Sequence, residues 1–264
     1  MLLTAVIISV LTSFSSVEGW IVDGQTGEPI PFATITLSNT SGGTTADEEG
    51  YFEFTPPPEA DSLRISAIGY DERVLAVGEM LVSPVELSPK AYLLQTASVD
   101  ATRFSHRHRY GNLPESNKIV VQFVGNQRGA QFGRIFRIKR EAWLKTAFIS
   151  VTENTYGTAR CRLRFYPIRD DSISPIPLNR QDLRFDIEGT GIVKVPLSEA
   201  GITYTGNLLM VIELLEEPNA SGKIYLGGAI FKPNGYLRAH AGEPWRKYRS
   251  SPSVGPGFAL EVVR

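Results

Sequence analysis

The sequence holds one cysteine, Cys161, in 264 residues, so no disulfide can form within the chain. Histidine is nearly as scarce: His106, His108 and His240 are the only three, and no His-Glu-x-x-His pair occurs among them. Zinc hydrolysis needs three protein ligands and a base, which three scattered histidines do not supply. No Gly-x-Ser-x-Gly marks a nucleophile elbow, and neither Gly-x-Gly-x-x-Gly nor a Gly-Lys-Ser/Thr loop is present to cradle phosphate. Residues 1–16 carry no charge, and the apolar run Leu2–Leu11 is the length of a signal-peptide core, too short to span a bilayer. With Ser13, Ser15 and Ser16 as small residues for cleavage, residues 1–16 read as a signal peptide and the chain as exported.

What is present suits two folded domains. A hydrophobic content of 42% over this length can bury sizeable cores, and a charged fraction of 21% excludes long disorder. Net charge is only −1, yet it divides sharply. Residues 17–100 contain 14 acids and 3 bases, a balance of −11, while residues 101–264 contain 14 acids and 24 bases, a balance of +10. The simplest reading is mutual attraction of the halves. The sharper one is a basic half that meets an anionic surface.

Short apolar runs punctuated by turn residues dominate from Val17 onward. Asp23-Gly24 and Thr26-Gly27 separate Trp20–Val22 from Ala33–Leu37, which predicts adjacent antiparallel strands joined by a loop stiffened at Pro29 and Pro31. Ala33, Ile35 and Leu37 alternate with Thr34, Thr36 and Ser38, so one face is predicted in a core and the other in water. Asp47–Gly50 is a further turn before Tyr51, Phe52 and Phe54, and Leu63, Ile65 and Ala67 alternate again. Such strands build a small β-sandwich.

The pattern Gly19, Val22-Asp23, Thr26-Gly27, Pro29, Ala33, Gly43-Thr44, Asp47, Gly50, Phe52 and Ile68-Gly69-Tyr70 resembles the carboxypeptidase regulatory-like domain, with Val85–Pro89 similar to its last strand. The resemblance covers residues 17–100 and implies a transthyretin-like sandwich without catalytic residues, often found at the N-termini of outer-membrane nutrient receptors of the Bacteroidetes type. The 164 residues that follow are too few for the large barrel of those receptors, so a transporter is not expected.

Residues 101–114, with the basic knot His106–Arg109 before Tyr110-Gly111-Asn112 and Pro114, read as an interdomain linker. Beyond it, Ile119–Val124, Ile135–Lys139, Thr146–Thr152, Ala159–Ile168, Leu183–Ile187, Gly191–Val195, Leu208–Leu215, Ile224–Phe231 and Phe258–Val263 are predicted strands, with one helical turn at Ser198–Gly201. The connection Asp170–Gln181, containing Pro175 and Pro177, suits a crossing between sheets, so residues 115–264 are expected to form a jelly-roll-like sandwich. In Arg160–Phe165 the apolar Cys161, Leu163 and Phe165 share one face and three arginines the other, which predicts an inert, buried thiol.

Two clusters have chemical potential. Asp182, Asp186 and Glu188 alternate along one strand, a geometry available to a glycosidase and far more common as a wet face. Trp245, Arg246, Lys247 and Tyr248 lie in a loop bracketed by Pro244 and Pro252, where flat aromatics beside hydrogen-bond donors could stack on a sugar. The competing reading has Trp245 and Tyr248 closing an open end of the sandwich.

The resulting expectation is an all-β, exported, non-catalytic protein of the periplasm or cell surface, working by protein interaction or as a structural accessory. No catalytic residues, cofactor, metal, nucleic-acid partner or transmembrane span are expected. Its partner would be a cell-envelope protein or a glycan. The alternative is a carbohydrate-binding accessory protein, or a cryptic glycan hydrolase or peptidase accessory subunit.

Overall fold

The computed structural model describes residues 16–77, 84–90, 104–115, 117–123, 128–216, 222–230, 235–250 and 253–264. The expected signal peptide, apart from Ser16, lies outside the described residues, as do residues 91–103.

The first sandwich packs two sheets around one apolar cluster. Strands β1 (Val17–Asp23), β4 (Tyr51–Phe54) and β7 (Val85–Leu87) form one sheet in the order β4-β1-β7. Strands β2 (Thr34–Leu37), β3 (Gly43–Thr45), β5 (Ser62–Ser66) and β6 (Arg73–Ala76) form the other in the order β3-β2-β5-β6. Alternate residues Ile21, Ile35, Phe52, Leu63, Ile65, Val85 and Leu87 point inward from both layers. The predicted hairpin of the first two strands does not form, because β1 and β2 belong to opposite sheets, and β1 is bridged at Val22 to Pro29 of the loop between them. The intervening loop is too structured to be a hairpin turn. The Asp23 carboxylate accepts from the amides of Gln25 and Thr26, and Phe32 takes a positive φ of 57° that redirects the chain across the core. Gly50 is needed where it stands: its φ is 75°, and a Cβ would lie 2.6 Å from the carbonyl oxygen of Ile21.

The second sandwich is organised by β10 (Gln131–Asn154), 24 residues long. Its first half pairs with β15 (Thr203–Leu214) on one side and β17 (Gly235–Arg238) on the other. Its second half pairs with β14 (Gly191–Pro196), β20 (Phe258–Val263) and β16 (Ile224–Ile230). The two predicted strands at 135–139 and 146–152 are thus one. Exposed Lys139, Arg140 and Glu141 lie in the bulge where register with β15 shifts, which lets one strand serve both layers. β11 (Ala159–Arg169) adds to β15, and β12 (Ser172–Ile173) and β13 (Leu183–Ile187) both return to the outer edge of β11. The segment Asp170–Gln181 therefore stays beside one strand. The crossing between layers is the short step from β13 to β14.

Small elements complete the sandwich: β9 (Val120–Phe123) and β19 (Val254–Pro256) on β16, β18 (Arg246–Lys247) on β17, and a 3-10 turn at Ser198–Ala200. β8 (Arg107–Gly111) corrects the linker expectation, since it pairs antiparallel with β20 from Gly111–Ala259 to Arg107–Val263. Its basic side chains belong to an edge strand. Cys161, Leu163, Phe165, Met210, Ile212, Phe258 and Leu260 fill the core, and burial pushes the Cys161 thiol up, as expected for an inert residue.

Candidate functional site

Arg162 and Arg164 of β11 are buried and Arg160 is half-buried. Alternation that sends Cys161, Leu163 and Phe165 inward sends Arg160, Arg162, Arg164 and Tyr166 to the outer face, beside Glu213 of β15. Glu213 is fully buried, with 0% exposure. Arg162 grips it with both Nε, at 3.1 Å, and Nη2, at 3.0 Å, and Arg164 Nε donates at 2.8 Å. Burial alone would raise this carboxyl. The two guanidinium charges overcome it and hold the group down to about 2, so it is ionised across the physiological range.

The remaining donors of these arginines reach the first sandwich. Arg162 Nη1 donates to the carbonyl oxygen of Phe32 at 2.9 Å, and Arg164 Nη2 donates to the Thr34 hydroxyl at 3.1 Å. Arg128 donates to the carbonyl of Thr45 at 3.3 Å, and Arg160 pairs with Glu48 at 2.9 Å. Thr34 and Thr45, cross-strand partners on β2 and β3, are buried. The face of β2 predicted to be wet is therefore partly an interdomain surface. Most of this contact consists of hydrogen bonds to uncharged groups, not of opposed charges.

The carboxylates at 182–188 join the same arginine row. Asp186 lies 3.5 Å from Arg160, and Asp182 lies 3.6 Å from Arg162 and 3.3 Å from Arg184, whereas Glu188 is exposed and takes no part in these pairs. These contacts form an ion-pair ladder along the outer edge of β11.

Next to it, Arg238 donates Nε to Gln131 at 2.8 Å, Nη1 to the carbonyl of Ala241 at 2.8 Å and Nη2 to the Tyr166 hydroxyl at 3.1 Å. Its guanidinium also lies 4.0 Å from the centre of the Trp245 ring. Trp245 meets Tyr166 edge-on at 5.7 Å and packs on the outer cluster of Tyr166, Leu209 and Val211. Tyr248 instead packs against the main core, edge-on to Phe132 at 5.6 Å. The four predicted platform residues are thus separated. Each ring enters a different apolar cluster, while Arg246 and Lys247 are exposed on β18. His240 is buried, 3.7 Å from Glu243, and burial lowers its pKa against the pull of that carboxylate. His106 and His108 lie at the other sandwich edge, and among the described residues no three His, Cys, Asp or Glu side chains converge to hold a metal.

One surface escaped sequence reasoning. On the outer face of the β4-β1-β7 sheet, Trp20 is 53% exposed, in register with Tyr51, and the two rings are 5.0 Å apart at 52°. The Tyr51 hydroxyl donates to Glu18 at 2.8 Å and lies 3.5 Å from Glu53. The signal was the alternation itself: inward Ile21 puts Trp20 outside.

An all-β protein of two sandwiches joined through a buried polar seam is the class these observations define. Residues 17–99 match the family model described as CarboxypepD_reg-like domain, so the first sandwich is a carboxypeptidase regulatory-like domain. No curated protein matches the chain. Among solved structures, the chain is similar to the cysteine protease and lectin-like domains of Cwp84, a surface layer associated protein of Clostridium difficile, at 9% identity and a TM-score of 0.43, over 88% of this chain and 58% of that one. The clostridial protease Cwp84 after propeptide cleavage gives 11% identity and a TM-score of 0.42, over 84% of this chain and 51% of that one. This chain therefore spans little more than half of those proteins, and likenesses so slight carry no weight for function.

Proposed function

We infer that this protein is a non-catalytic binding module of the cell envelope, exported to the periplasm or cell surface, in which two docked sandwiches present interaction faces. A carboxypeptidase regulatory-like domain fits an accessory or binding role. The observation that carries the reading is the buried seam: Arg162, Arg164 and Glu213, the groups with the chemistry to act as acid, base or anion binder, are consumed in holding the sandwiches together. The buried thiol of Cys161 and the enclosed His240 are likewise engaged in packing. Among the described residues no helix is long and apolar enough to cross a membrane. The test is fractionation of cells making the tagged full chain, with the purified protein assayed on casein and polysaccharide panels. Recovery outside the cytoplasmic membrane with no turnover is expected. Cytosolic recovery would overturn export, and turnover above the blank would overturn the non-catalytic reading.

A further inference from the structure

We propose that the Trp20–Tyr51 pair is a docking platform for a cationic side chain, arginine or lysine, on an extended segment of a partner protein. The inference rests on the reading of the protein as a binding module and names the chemistry of one of its partners.

Trp20 contributes nothing to the core, which is filled from the other face by Ile21 and Phe52. Trp20 is left half in water with the Tyr51 ring beside it, so the pair offers an aromatic face to a partner. It is also held ready. Tyr51 sits directly across the strand pair, and its hydroxyl is fixed by Glu18, so the two rings form a shallow, tilted trough with preset geometry.

The surrounding charge selects the occupant. Glu18 and Glu53 are cross-strand partners one step along from the rings, and Glu86 of β7 is the partner of Val22 on the same sheet. Strands β1, β4 and β7 contain no lysine or arginine. The hydrogen bond to Glu18, then burial and the charges of Glu18 and Glu53, push the Tyr51 hydroxyl up to about 12. Aromatic faces attract cations through their quadrupoles, and adjacent carboxylates add Coulomb attraction and hydrogen-bond acceptors for guanidinium or ammonium. The interdomain seam leaves this face open, because docking uses β2, β3 and the loops beside them.

Isothermal titration of the full chain with a hexa-arginine peptide tests this, beside hexa-serine and a neutral soluble glucan. Variants are Trp20→Ala, the pair Glu18→Gln with Glu53→Gln, and the control pair Glu49→Gln with Glu59→Gln, which removes the same charge elsewhere on the domain. Hexa-arginine should bind and hexa-serine should not. Trp20→Ala should weaken binding about fivefold and the Glu18/Glu53 pair about tenfold, with the control under twofold and thermal melts unchanged. Equal losses in both charge pairs with Trp20→Ala silent would reduce the effect to delocalised attraction and overturn the platform. Trp20-dependent binding of glucan in place of hexa-arginine, or no binding at all, would also overturn it. None of these failures bears on export or on absence of turnover, so the module reading stands or falls separately.

Discussion

Arg162 Nη1 lies 2.9 Å from the carbonyl oxygen of Phe32, so a guanidinium rooted in the second sandwich satisfies a main-chain group of the first. The same side chain is bidentate on Glu213. Domain docking and charge burial are therefore one event.

Glu213→Ala should be strongly destabilising, by about 3–5 kcal/mol, because it leaves two buried guanidinium groups without their counter-charge. A triple replacement of Arg162, Glu213 and Arg164 by apolar residues of similar volume should cost much less. Chemical denaturation of both variants checks this, and equal losses would refute the seam as a charge-balanced unit.

Acid sensitivity follows with a definite sign. The Glu213 carboxyl is depressed from 4.5 to about 2 in the folded protein, so its stabilisation is complete above pH 4.5 and is lost as pH falls toward 2. His240 is depressed below 6.5, which favours its neutral form, so its contribution is present above that value and is lost as pH falls further. Melting temperature should decline below pH 6.5 and more steeply below 4.5. In Glu213→Gln the steep lower phase should be blunted.

Salt should matter little to docking. Although the halves carry −11 and +10, most of the seam's hydrogen bonds from the second sandwich to the first end on neutral acceptors in a buried layer, where screening is weak. Small-angle scattering should give the same overall size at 50 mM and 1 M salt. Expansion at high salt would show that long-range attraction holds the sandwiches together.

Trp245→Ala should lower stability by about 2 kcal/mol, less than the 3–5 kcal/mol of a fully buried large aromatic, since the ring is only partly enclosed. Wild type and variant should both fail to bind a polysaccharide panel. Retention of wild type alone, with an unchanged melt, would restore the sugar-stacking reading of this loop.

Much of the strand content was legible because burial on one face imposes a period of two, as at Ile35 and at Cys161-Leu163-Phe165. Sheet partnership was not. Nothing local distinguishes a hairpin from β1 and β2 lying in opposite layers, since that choice is made by Phe32 at positive φ and by the Asp23 turn. β10 was divided in two because the polar run at 139–141 looks like a loop until its bulge is seen. The seam had a signal: Glu213 interrupts the apolar run Leu208–Leu215, and a carboxylate survives in such a strand only if it is paired. Its partners were the arginines of β11, which alternation placed on the correct face without showing what they meet. β8 and β17 to β19 are short edge pieces whose pairing is set by distant strands.

The placement of β20 has a consequence for biosynthesis. β20 sits between β8 and β10, each more than a hundred residues before it in the chain, so the two are joined only when Phe258–Val263 is available. The strands of the first sandwich all lie between Val17 and Leu87, so it can fold while the second is still emerging from the export channel. During that interval the outer faces of Thr34 and Thr45 are uncovered, and β10 is an open edge exposed to other nascent chains. Chaperone dependence should therefore concentrate in the interval before the last third of the chain has emerged.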